Sequence, residues 1–119
     1  MNDKPRDLKQ RTKDFALRII RMYCALPKST EAQVLGKQVL RSGTSVGAHY
    51  REAARARSDA EFISKLEGGL QELEETVYWL ELLGESGVVD PKNLSGLMDE
   101  ARELNAMLTA SVKTVKSRK

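Results

Sequence analysis

Cysteine, histidine and aromatic side chains are scarce in this 119-residue chain, and each scarcity excludes something. With Cys24 the single cysteine, no internal disulfide can form. With His49 the single histidine, neither a zinc site of three or four good ligands nor a Ser/His/Asp triad has a convincing inventory. Aromatics at 5% and a composition leaning to Ala, Leu, Glu, Lys and Arg favour helices over sheets. No run approaches the roughly eighteen consecutive apolar residues of a membrane span, because Arg or Glu interrupts every candidate. The polar start MNDKPRDLKQ carries no apolar signal segment, so the expectation is a cytoplasmic protein. Phosphate-loop and nucleophile-elbow motifs are missing too, so the chain reads as a non-enzyme without cofactor or metal.

What the sequence has is charge, unevenly spread. The net charge is only +3. Residues 1–57 carry thirteen Lys/Arg against five Asp/Glu, whereas residues 58–119 carry seven against twelve. Either the basic and acidic helices lie side by side and neutralise one another, or one surface is basic enough to meet a polyanion.

Apolar periodicity resolves four helices. Over residues 7–26, Leu8, Phe15, Ile19, Met22 and Leu26 follow three-four spacing before Pro27 stops the segment. Over residues 31–57, with Ser29 or Thr30 as cap, the stripe is Ala32, Leu35, Val39, Ser42, Val46, His49, Ala53 and Ala56. Ser58 and Glu61 form a capping-box sequence for residues 59–84, whose stripe is Phe62, Leu66, Gly69, Leu73, Thr76, Leu80 and Leu83. Asp90-Pro91 opens a fourth helix over residues 91–115, lined by Leu94, Leu97, Ala101, Leu104, Leu108 and Val115. Helices about 30–40 Å long joined by short connections predict one all-α domain, an up-down-up-down antiparallel four-helix bundle.

The stretch RSGTSVGAHY (Arg41–Tyr50) sets a puzzle, since each helical glycine costs about 1 kcal/mol relative to alanine. Gly36, Leu40, Gly43, Gly47 and Tyr50 form a second stripe of mostly small residues. Missing side chains there let another helix approach closely: either the third helix, where Gly68 and Gly69 are also small, or the second helix of another subunit. Further apolar residues beside the core stripes, among them Ile20, Tyr23, Trp79 and Val112, point to self-association. Gly36, Gly43, Gly47, Tyr50 and Trp79 are therefore the candidate packing or oligomer seam.

Chemically, Cys24 lies on an apolar helix and reads as a structural thiol, and His49 as an interior hydrogen-bonded imidazole. The candidate nucleic-acid contacts are Arg41, Arg51, Arg55 and Arg57, with Lys65 following on the next helix. Intrahelical pairing of Glu52 with Arg55, and of Glu61 with Lys65, is the competing use of those charges.

The segment Leu40–Leu83 resembles the signature region of bacterial four-helix-bundle proteins first noticed as open reading frames within intervening sequences of large-subunit ribosomal RNA genes. The resemblance rests on Arg41-Ser42, Thr44-Ser45-Val46-Gly47-Ala48, Arg51-Glu52-Ala53, Ala56-Arg57-Ser58, Phe62, Lys65-Leu66, Glu72, Glu75 and Tyr78-Trp79-Leu80. It implies the bundle fold and a homopentameric ring. A more distant similarity, to the accessory protein of diversity-generating retroelements, implies a nucleic-acid-binding scaffold that partners a reverse transcriptase. His49 departs from the family's usual asparagine. The function expected from residues and resemblance together is a homo-oligomeric scaffold binding RNA or DNA; the alternative is a protein-interaction or structural module that does not.

Overall fold

A computed structural model describes residues 5–118. Four helices, α1 (Pro5–Cys24), α2 (Thr30–Ala54), α3 (Asp59–Glu85) and α4 (Ser95–Ser117), run up-down-up-down in a bundle 49 × 26 × 20 Å. Consecutive helices pack on one another and α1 touches α4, which closes the ring. The α2–α3 interface is the most extensive and the α1–α4 interface the thinnest. There is no strand among the described residues.

Local chemistry explains the helix ends. The amide of Ala32 donates to Ser29 Oγ (3.4 Å), and that of Glu61 to Ser58 Oγ (3.0 Å), so serines supply acceptors to first-turn donors. Glu61 completes its reciprocal arm one residue early, accepting from the backbone amide of Arg57 (3.1 Å). α2 stops at Ala54 rather than near residue 57. Ser58 must be extended to cap α3 (φ −152°, ψ 162°), so the chain has to leave α2 early despite its alanines and arginines. Asp90 accepts from Lys92 N (3.0 Å) but caps a 3-10 turn, Pro91–Asn93; α4 begins only at Ser95. At the end of α3, Gly87 takes a left-handed φ of +86°, and the Val89 amide folds back onto Leu83 O (3.1 Å).

Most positions of the expected stripes form the core, whereas Met22, Leu35, His49, Ala56 and Phe62 are only partly buried. Phe15, Ile19, Val39, Val46, Leu66, Leu73, Leu80, Leu104 and Leu108 are buried, joined by Val112. Each large apolar side chain contributes about 1.5–3 kcal/mol on burial. Three polar residues sit among them. Thr12 donates to Leu8 O (2.8 Å), Thr76 donates to Glu72 O (2.8 Å), and Ser42 and Thr76 share a hydrogen bond across the α2–α3 interface (2.9 Å). Their hydroxyls thereby avoid the cost of unmet burial.

The glycines of α2 clear space for α1 and the turn that follows it, and not for α3. A Cβ on Gly36 would lie 2.6 Å from Leu26 Cδ1, one on Gly43 2.9 Å from Ile19 Cγ1, and one on Gly47 3.2 Å from Thr12 Oγ1. The stripe could not be assigned this partner from α2 alone, because closeness depends on which α1 side chains fill the gaps. Gly68 and Gly69 do face α2, but through His49: a Cβ on Gly68 would lie 3.0 Å from its imidazole. Helix α2 runs on unbroken through its glycines.

A polar clasp reinforces the thin α1–α4 contact. The guanidinium of Arg11 donates to Glu100 (3.0 and 2.7 Å) and Glu103 (2.8 Å), and lies 3.2 Å from Met107 Sδ. Its hydrogen bonds to Glu100, then to Glu103, hold the guanidinium charge even more firmly than usual.

Gly43→Ala should lower stability by about 1–3 kcal/mol despite alanine's better helix propensity, since the buried Ile19 side chain must give way. Combined with Ile19→Ala, the two losses should fall short of additive by about 1 kcal/mol or more in denaturant titration; strict additivity would contradict the contact. Tyr50 is buried, which raises its phenol pKa above the ordinary value. The unfolded chain then releases this proton first, so stability is intact below about pH 10 and declines as pH rises through the folded-state value. Tyr50→Phe should flatten that alkaline decline.

Candidate nucleic-acid interface

The α2–α3 connection gathers most of the expected basic residues into one place. Arg51, Arg55, Arg57 and Lys65 line an open cleft of about 440 Å³, together with Glu52 and Glu61. Arg51 and Arg55 project one turn apart at the exit of α2, where cations also suit the negative end of the helix dipole. Arg57 sits in the turn, and Lys65 follows the first turn of α3.

Pairing distinguishes these cations. Lys65 Nζ lies 3.3 Å from Glu52 Oε1, an interhelical contact, so Glu52 pairs across the turn and not with Arg55 along its own helix. Glu61 is occupied by the Arg57 backbone amide, not by Lys65. Two acidic groups nearby are met from α4: Arg118 lies 3.6 Å from Asp59 and Lys116 3.4 Å from Glu67. The guanidinium groups of Arg51, Arg55 and Arg57 are left with no carboxylate partner among the described residues.

Arg41 does not join the cluster. Ten residues before Arg51, it sits about 15 Å back along α2. There its guanidinium bridges to Glu72 (3.2 Å) and Glu75 of α3. The proposed neutralisation of basic by acidic helices thus holds at Arg41 and at Arg11, while the α2–α3 turn keeps unpaired positive charge. Glu72 and Glu75 are the partners; Glu74 and Glu81 are exposed.

His49 adjoins this cleft through Glu52. Its side chain is 31% exposed, but Nδ1 is buried and has no hydrogen-bond partner, with Glu52 Oε1 at 3.8 Å. The expectation of a hydrogen-bonded interior imidazole is therefore not met at this atom: Gly68 leaves room for the ring, yet nothing on α3 accepts or donates there. Cys24, read from sequence as a structural thiol, is exposed at the last residue of α1. No group of three or more His, Cys, Asp or Glu side chains that could hold a metal occurs among the described residues.

The seam residues separate in space. Gly36, Gly43, Gly47 and Tyr50 are buried within the chain's own bundle. Trp79 is half-buried on the outer side of α3, tilted against Tyr78 (ring centroids 5.0 Å apart, 60°), with its indole N–H donating to Glu75 (3.4 Å). Leu17, Ile20, Val34 and Tyr78 are the exposed large apolar residues. Of the four, only Ile20 stood out by its place beside a core stripe.

A family model described as 23S rRNA-intervening sequence protein matches residues 5–110. The chain belongs to this family. A solved structure from Bacteroides thetaiotaomicron VPI-5482, described as a protein with unknown function from the S23 ribosomal protein family, is 38% identical; the match covers 92% of this chain and 97% of that one, with a TM-score of 0.86. No curated protein matches. In this family member, much of the signature region is structural: Arg41, Ser42, Glu72 and Glu75 tie α2 to α3, and Gly47 admits α1. No helix among the described residues is long and apolar enough to cross a membrane.

Because His49 Nδ1 makes no hydrogen bond, His49→Leu at pH 8 should leave stability unchanged or raise it by up to about 1 kcal/mol. A loss above about 1 kcal/mol in thermal or urea unfolding would contradict this expectation.

Proposed function

We propose that this protein is a non-enzymatic, homo-oligomeric scaffold that binds nucleic acid through the cleft at the α2–α3 turn. The observation that carries the reading is the trio Arg51, Arg55 and Arg57, which keeps its charge while neighbouring acids are met by Lys65, Lys116 and Arg118. Unpaired guanidinium groups around an open groove are suited to phosphate oxygens, which they engage through paired N–H donors. The cleft holds four cations and two carboxylates, so its net charge of about +2 suits a backbone contact more than base-specific recognition.

Self-association supplies what one modest cleft lacks. Several copies presenting the same groove to one strand would raise avidity without new contacts. Exposed Leu17, Ile20, Val34 and Tyr78 support an assembly, and the family resemblance favours a pentamer. A cytoplasmic location and a partner enzyme that handles nucleic acid are compatible with this reading.

The test is fluorescence anisotropy with labelled single-stranded RNA and duplex DNA, alongside light scattering for mass. With about three phosphates engaged, affinity should fall about 20- to 40-fold between 50 and 200 mM salt. Arg51→Gln and Arg55→Gln should each remove about one phosphate from the salt slope, Arg41→Gln should change it little, and Glu52→Gln should tighten binding. Undetectable binding at the lower salt would reject the nucleic-acid reading, and a one-chain mass would reject the assembly.

A further inference from the structure

A second cleft lies at the opposite end of the bundle, between the end of α1 and the connection that leads into α4. It measures about 610 Å³, inside the roughly 300–1,000 Å³ typical of organic-ligand sites. Its walls include Met22, Leu26, Val88 and Val89, and two cations, Arg18 and Arg21, enter it from α1.

Neither guanidinium has a partner among the described residues. Asp14, one turn before Arg18 and its natural mate in sequence, instead accepts from Gln10 (2.9 Å). Asp90, the one carboxylate lining the cleft, accepts from the Lys92 amide (3.0 Å) and makes no ion pair with either arginine. The first turn of α4 contributes no acidic residue. Arg21 has a local reason for its place, since a cation suits the last turn of α1. Arg18 has none. It is half-buried, and its Nη2 lies 2.9 Å from where a Cβ on residue 96 would be, so a side chain there would push the guanidinium aside. A guanidinium brings five N–H donors, and those of these two meet no acceptor among the described residues.

We propose that this cleft binds a small organic anion with an apolar body, its anionic group held between Arg18 and Arg21 and its body laid against Met22, Val88 and Val89. Charge fixes the head and apolar area holds the tail, as in other sites where a few polar groups orient a mostly apolar ligand. This site shares no residue with the α2–α3 cleft, so the two readings stand or fall separately.

The experiment is an amide-resolved NMR titration of the full chain with octanoate, octanol and inorganic phosphate. Octanoate should shift the amides of Val88, Val89, Gly96 and Leu97 saturably, with octanol and phosphate each about tenfold weaker because each lacks one half of the interaction. Arg18→Gln and Gly96→Ala should each weaken octanoate about fivefold or more, with amide dispersion retained, while Arg51→Gln should leave it unchanged. Should Arg18→Gln fail to fold, the exposed Arg21→Gln serves as the readout, with the same expected loss. No saturable shift up to about 10 mM, equal affinity for octanol or for phosphate alone, or indifference to the arginine substitutions would overturn the proposal.

Discussion

Close approach of α1 to α2 across Gly36, Gly43 and Gly47 positions the rest of the molecule. Leu26, Ile19 and Thr12 fill the spaces those glycines leave, one along each successive stretch of the interface. The helix propensity forfeited by three glycines, about 1 kcal/mol each, is offset by the burial of Ile19, Leu26 and their neighbours. With α1 seated, an adjacent face of α2 meets α3, where Ser42 and Thr76 share a buried hydrogen bond and Arg41 reaches Glu72 and Glu75. Polar links of this kind set register, because a shift of one turn would leave hydroxyls and charges without mates.

That division of labour bears on how the family signature is understood. A run rich in arginine, serine and glycine invites a binding interpretation, yet Arg41, Ser42 and Gly47 are held by contacts inside the bundle. Charge left over after internal pairing is the better guide to a surface. By that criterion the α2–α3 turn stands out with Arg51, Arg55 and Arg57, and the far end of α1 with Arg18 and Arg21. The two clusters differ in their surroundings: acidic side chains and open solvent at the first, apolar walls at the second. Different ligand chemistries follow from that contrast.

The helices, their buried faces and their caps were legible because each depends on residues close in the chain. Ser29, Ser58 and Asp90 announce helix or turn starts through side chains that bond amides two or three residues on. Three-four spacing likewise marked Phe15, Val39, Leu66 and Leu104 as interior. Boundaries were less legible where two elements compete for the same residues: Ser58 needs an extended backbone, and that shortens α2. Within the candidate cleft, Arg51, Arg55, Arg57 and Lys65 could be named from adjacency along the chain, but the removal of Arg41 by Glu72 and Glu75 could not, since those partners lie more than thirty residues away.

Sequence by itself determined the all-helical class, the faces turned inward and the scarcity of catalytic inventory, all properties of spacing or of composition. Only the tertiary structure decided which helix fills the gaps beside the glycines, which arginines are neutralised and which remain bare, and that His49 keeps an unpartnered nitrogen. The Arg18–Arg21 cleft belongs to this second group: its walls come from residues more than sixty positions apart, and Asp14, one turn before Arg18, accepts from Gln10 instead. Periodicity is written along one helix, whereas pairing is settled between helices, where distance and competition among several partners select one arrangement.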